Sequence, residues 1–385
     1  MDGKSWHTCA MEQNHTHWIK NQQAYRGIAA LWVFLGHLLY AKVYDAGFAR
    51  VEDWGILGKA VLLRFQAVDG FFILSGCLLA QFYWDHFTKE TTGKQIDRFY
   101  LKRICRLFPL YLLGIALIGG YELLGVPHPI SSGLESVIFQ HWEWTLILNL
   151  TGMMAWGIVP VSSWNEPTWT VSAIILAYIL FPNLVLLLRR IPERVYPVLI
   201  VGLLAAYYLF RTLLDLGSNS DGVGAIARVL VFFIIGMMLA RLQQAQWQSC
   251  RNWDAIILWC LGLFAAGMTL WWQWFAFDLL PFQLITVLLV YALMQANGIV
   301  AGWYANRLFC WLGAISYALL IVHYPVLLAL KAAYGEPLLQ LAQSGIWGMV
   351  AAYALTFTAV LSAAWMAHRW IELPADRWLR RQLKD

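Results

Sequence analysis

The run WTVSAIILAYILFPNLVLLL, Trp169–Leu188, carries no charged side chain and is followed at once by Arg189, Arg190 and then Arg194. A helix needs about 20 apolar residues to cross the hydrocarbon core of a bilayer, and this run supplies them. The rest of the chain has the same character. Of 385 residues, 60% are hydrophobic and 13% charged, about half the ~25% charge of a soluble domain. So little charge cannot coat a water-soluble globule, which excludes a soluble enzyme, a disordered chain and a fibrous protein. The 22 tryptophans and 17 tyrosines suit the amphipathic belts found where a membrane meets water. The formal charge of +5 does not mark a nucleic-acid binder, because in a membrane protein the placement of Lys and Arg matters more than their sum.

Nine further stretches are read as spans, near 26–43, 67–84, 107–125, 195–213, 223–242, 255–274, 278–296, 308–330 and 343–366. An eleventh, 140–158, is ambiguous, since it holds His141, Glu143 and Asn149 and is broken by Gly157 and Pro160. The basic residues decide it. If 140–158 does not cross, 20 of the 27 Lys and Arg fall on one side and seven on the other. If it crosses, the Arg189/Arg190/Arg194 cluster turns outward. Cytoplasmic loops carry the excess of basic residues. The fold expected is therefore an all-α polytopic bundle of about ten transmembrane helices with both termini cytoplasmic. Its membrane domain covers 25–368, between cytoplasmic tails at 1–24 and 369–385, with one large outer segment at about 126–168. The first 24 residues lack the apolar core of a cleavable signal peptide. The six cysteines show no paired spacing, so neither disulfides nor a zinc site is expected. Cys9, His15 and His17 likewise match no zinc signature.

Ionisable groups at membrane depth are costly, and each is a candidate for function. His37 lies eleven residues beyond Arg26, roughly 16 Å along a helix. Imidazole can take a proton near neutral pH, although a histidine bonded to a neighbouring helix is an equally ordinary reading. Asp69, in Val68-Asp69-Gly70-Phe71-Phe72-Ile73-Leu74-Ser75-Gly76, reads either as a helix cap or as a partner orienting a histidine. Arg103 and Arg106 share one helical face at a cytoplasmic mouth, where guanidinium forks suit phosphate but also simply anchor a span. Tyr317 and His323 bracket an apolar run ending at Pro325, where a bend is expected. The outer segment carries Trp142, Trp144, Trp156, Trp164 and Trp169 with Glu143 and Glu166. Aromatic faces with carboxylates suit sugar rings, or an interfacial re-entrant helix.

In order along the chain, these residues resemble the acyltransferase 3 family of integral membrane acyltransferases. Arg26 and His37 resemble its Arg-x10-His signature, and residues 68–76 its VDGFF-x-x-SG segment. Arg103-Ile104-Cys105-Arg106-Leu107-Phe108-Pro109 resembles its R-x-x-R-[LI]-x-P segment, Ile315-Ser316-Tyr317 through Pro325 its late ISY…H-x-P, and Glu372-Leu373-Pro374 its closing E-x-P. One position departs: where the family often has glutamate in W-S-L-x-x-E, this chain has Ile174. Either that carboxylate is dispensable or Glu166 replaces it.

The resemblance implies a multi-pass enzyme of the inner membrane, of the stand-alone kind, that moves an acyl group, usually acetyl, from cytoplasmic acyl-CoA to a hydroxyl of a cell-envelope glycan or lipid-linked saccharide. No metal is expected. Membrane lipids and polysaccharide assembly or export machinery are the expected surroundings, and no nucleic acid. Arg103 and Arg106 are expected to hold the coenzyme phosphates. His37 is the expected base, with Asp69 and Arg26 in the catalytic site and Trp164, Glu166, Trp169, Tyr317 and His323 near the acceptor. Direct transfer and a covalent relay through His37 or Ser75 are both compatible with these residues. A transporter or flippase without chemistry is the alternative from another class, since intramembrane His and Arg also line proton and substrate paths.

Overall fold

The computed structural model describes residues 4–40, 55–62, 64–88, 92–124, 142–158, 164–214, 216, 222–244, 252–270 and 280–382, except for the side chains of 4–17, 40, 56, 57, 60, 62, 122, 142, 143 and 270. Among them there is no strand. The helices are α1 (Lys4–Tyr40), α2 (Gly55–Leu62), α3 (Arg64–Thr88), α4 (Gly93–Leu123), α5 (Trp142–Leu150), α6 (Trp169–Leu188), α7 (Tyr196–Leu213), α8 (Gly222–Gln244), α9 (Trp253–Leu270), α10 (Leu280–Gln295), α11 (Ile299–Tyr304), α12 (Arg307–Gln343), α13 (Ile346–Ala367) and α14 (Leu373–Gln382).

The described residues of each of the ten expected spans lie mainly on a helix. Seven described helices are long and apolar enough to cross a membrane by themselves, and α9 and α10 are shorter apolar helices. The protein is a polytopic helical bundle. Large apolar side chains such as Val198, Leu209, Trp259 and Leu355 lie exposed on its outside, as lipid-facing residues must.

Among its described residues the ambiguous stretch has no helix long enough to cross. Its helix, α5, has 9 residues, or ~14 Å, less than half of a ~30 Å hydrocarbon core. It then turns back at Gly152 and Gly157, both in the left-handed region. Ser172 of α6 holds the returning chain, its hydroxyl accepting from Ala155 N (3.0 Å) and donating to the Gly152 carbonyl (2.8 Å).

Two helix crossings set the centre of the bundle. In membranes small residues let backbones approach closely. A Cβ on Gly76 of α3 would overlap the Phe233 carbonyl of α8, and one on Gly236 of α8 would overlap the Ile73 carbonyl of α3. The Cys77 thiol donates to the Gly236 carbonyl across the same crossing (3.0 Å). The second crossing joins α1 to α12, where Gly27 faces the Phe309 carbonyl and Gly313 faces that of Gln23.

The polar start is already packed before residue 25: Trp18, Asn21, Gln22 and Ala24 are buried on α1, and the Asn21 amide donates to the Ala296 carbonyl (2.7 Å). Helix α12 continues through both Pro325 and Pro337.

Candidate active site

The α1–α12 crossing brings His37 against His323. The Nε2 of His323 lies 3.2 Å from the Nδ1 of His37, with ring centroids 5.0 Å apart. The other contacts assign the tautomers. The Nδ1 of His323 is 2.9 Å from the Leu319 carbonyl, which can only accept, so that nitrogen carries the proton and Nε2 presents a lone pair. The Nδ1 of His37 is 2.9 Å from the Val33 carbonyl and must also carry its proton, which it shares between that carbonyl and His323. The Nε2 of His37 is left with a free lone pair. His323 is fully buried, and Phe34 packs edge-on to its ring at 6.1 Å. On the other side, the Arg64 stem lies against Gly36, where no Cβ would fit, and its charge acts on His37.

A cavity of about 510 Å³ runs along α3, with lining residues from Val68 to His86 on that one helix. Eighteen residues at 1.5 Å each make this ~27 Å. Lys102, Arg103 and Arg106 line one end. At the other, Val68 and Leu320 line the wall, and His323 stands one helical turn beyond Leu320. Arg26, Ser75 and Tyr317 line the stretch between. The basic end is braced by aromatic rings. Arg103 donates from Nη2 to the Tyr83 hydroxyl at 3.0 Å and stacks over the Tyr83 and Phe99 rings at 5.2 and 5.7 Å. Its buried Nε has no hydrogen-bond partner among the described residues. Arg26 feels the like charge of Arg106 and the opposite charge of Glu372.

A family model of an acyltransferase domain matches residues 23–365. The chain belongs to the acyltransferase 3 family. Among curated proteins it is 30% identical over 171 residues to "Acyltransferase MdmB" of Streptomyces mycarofaciens, covering 44% of this chain and 40% of that one. It is 36% identical over 110 residues to "Protein 2 in picA locus" of Rhizobium radiobacter, covering 27% of this chain and 48% of that one. The chain thus spans less than half the length of either relative. No solved structure matches.

Within this family member, the expected site residues separate into groups. Arg26, Arg103, Arg106 and Tyr317 share the cavity wall, and the Tyr317 hydroxyl donates to the Leu107 carbonyl (2.7 Å). His323, expected near the acceptor, is the hydrogen-bonded neighbour of His37. Asp69 has a different partner from the one expected. It sits inside α3 rather than capping it, and it accepts from Arg228 Nε at 2.6 Å and Nη2 at 3.1 Å. Both side chains are fully buried, and Arg228 Nη2 also reaches the Phe65 carbonyl (3.1 Å). Trp169 is buried in the core, edge-on to Phe72 at 6.0 Å. Trp164 takes a left-handed backbone (φ 61°) and donates from its indole to the Thr145 hydroxyl (3.1 Å). Glu166 is exposed and is not part of the cavity wall, whereas Ile174 is. The side chains of Cys9, His15, His17, Trp142 and Glu143 and all of residues 125–141 lie outside the described residues.

Sequence reading passed over Arg228, Arg64 and Asn165. For Arg228 the signal was there: one arginine in the apolar run of α8 and one aspartate in that of α3, both needing a partner at membrane depth.

Proposed function

We propose that this acyltransferase moves an acyl group, acetyl being the expected one, from cytoplasmic acyl-CoA to a hydroxyl of a cell-envelope glycan or lipid-linked saccharide. The observation that carries this reading is one long cavity with three basic side chains at one end and a hydrogen-bonded histidine pair one turn beyond the other. Lys102, Arg103 and Arg106 would hold the phosphates by charge-assisted bonds, and the narrow pantetheine arm would lie along α3. The acceptor would approach His37 from the opposite face, under the outer segment. This reading takes the multi-pass chain to sit in the inner membrane with both termini cytoplasmic.

The chemistry needs a base and a route for its proton. The free Nε2 of His37 takes the proton of the acceptor hydroxyl as its oxygen attacks the thioester carbonyl. The Nδ1–H, already aimed at His323 Nε2, gains a stronger bond as the imidazolium forms. When the tetrahedral intermediate collapses, the carbon–sulfur bond breaks and His37 returns its proton to the departing thiolate. The products are an ester and free CoA, and no covalent enzyme intermediate is required.

The test is purified protein in lipid discs with acetyl-CoA, with and without a glycan acceptor, following thiol release and ester formation. Thiol release that needs the acceptor and disappears in His37→Ala and His37→Gln supports the reading. Loss of a general base costs ~10²–10⁴-fold. A His37→Gln variant that keeps most of its rate would make His37 a packing residue.

A further inference from the structure

The outer segment touches His323's helix through a buried hydrogen bond. Asn165 is completely buried, and its Nδ2 donates to the Ile321 carbonyl at 2.8 Å. That carbonyl is not an arbitrary one. In an α-helix the carbonyl of residue 321 accepts from the N–H of residue 325, and residue 325 is proline, which has none. Within a bilayer the freed carbonyl must find another donor. Asn165 supplies it from outside the helix, within the same turn in which Leu319 accepts from His323 Nδ1. Asn165 is itself fixed: its own carbonyl accepts from Thr168 N (2.9 Å) and Oγ1 (2.6 Å), and Trp164 before it holds the left-handed turn. Gly114 of α4 makes the space, since a Cβ there would stand 2.6 Å from Asn165 Nδ2 and 2.9 Å from Ile321 Cγ2.

We infer that Asn165 is a positioning residue: by bonding the carbonyl that Pro325 frees, it ties the outer segment to the Leu319–Pro325 turn and holds His323 in register with His37. This rests on the base reading given above. Asn165 touches no reacting group and acts only through that turn.

The proline makes the idea separable from general damage, because Pro325→Ala restores an N–H that can bond Ile321 within the helix. Steady-state transfer by the purified full chain is measured for Asn165→Ala, Asn165→Asp, Gly114→Ala, Pro325→Ala and the Asn165→Ala/Pro325→Ala pair. Asn165→Ala is expected to lower kcat about 10–100-fold, as small misplacements of catalytic groups do, with donor KM unchanged. Asn165→Asp keeps the shape but offers no donor when ionised, and Gly114→Ala pushes the amide away, so both should follow it. In the Pro325→Ala background the same Asn165→Ala change should cost less than threefold. The acid limb of the kcat–pH profile should shift in Asn165→Ala and return in the double variant, which a purely structural role would not produce. Equal losses in both backgrounds, or an Asn165→Ala enzyme with normal kcat, would overturn the inference. An active His37→Ala enzyme would instead remove the base reading, and the Asn165–Pro325 coupling would still be read directly from the cycle.

Discussion

Asp69 offers the sharpest separation between architecture and chemistry. Asp69→Ala deletes a carboxylate that accepts two bonds from Arg228 at 2.6 and 3.1 Å, with both side chains fully buried. Each charge-assisted bond contributes ~1.5–3 kcal/mol, and breaking a buried pair from one side costs ~3–5 kcal/mol because the remaining charge is stranded. Arg228 keeps the Phe65 carbonyl, which places the expected loss near the lower end, ~3 kcal/mol, or more than a hundredfold in the folded fraction. Replacing both partners, as Asp69→Leu with Arg228→Met, leaves neither charge of the pair stranded and should return stability to within ~1 kcal/mol of the parent. The assay is unfolding of the purified protein in mixed micelles with increasing SDS, followed by tryptophan fluorescence, alongside acyl-transfer rates of the surviving folded protein. Recovery of both stability and transfer in the double variant would establish the pair as a brace between α3 and α8. An Asp69→Asn protein as stable as the parent yet inactive would refute this reasoning and return Asp69 to the reaction.

Arg103→Ala is expected to raise the donor KM about tenfold or more, from loss of one charge-assisted bond at ~1.5–3 kcal/mol. Arg103→Lys should recover only part, because lysine lacks the planar fork. An unchanged KM in the Arg103→Ala/Arg106→Ala pair would remove the basic end from donor binding. Gly76→Leu drives a side chain into the Phe233 carbonyl of α8 and should lower folded yield severely, as size-exclusion profiles would show. A monodisperse, active Gly76→Leu enzyme would mean that the α3–α8 crossing is looser than described. A reporter joined after Arg190 should read cytoplasmic, and an external signal there would invert every span that follows.

The spans were legible because twenty apolar residues in a row have few alternatives, whereas 140–158 stayed ambiguous because its apolar run is broken by polar residues and glycine. The site was legible only where its chemistry is local. Arg103 and Arg106 share a face by helical spacing, and both line the cavity. Asp69 and Arg228 are 159 positions apart, and His37 and His323 are 286 apart. Periodicity says which side of a helix a residue is on, not which other helix that side meets. Asn165 was invisible for a further reason. Its role exists only because a proline 160 positions later lacks an N–H, a need that appears once α12 is seen to continue through Pro325.

A cavity that follows one helix for ~27 Å spans nearly the full depth of a bilayer's oily interior. Under the proposed role, the nucleotide end of the donor stays where it entered while its far end delivers cargo to the opposite leaflet. Only the acyl carbons change compartment, and the charged carrier never meets the barrier that keeps it inside. The spent carrier must leave by the entrance it used, ahead of its successor.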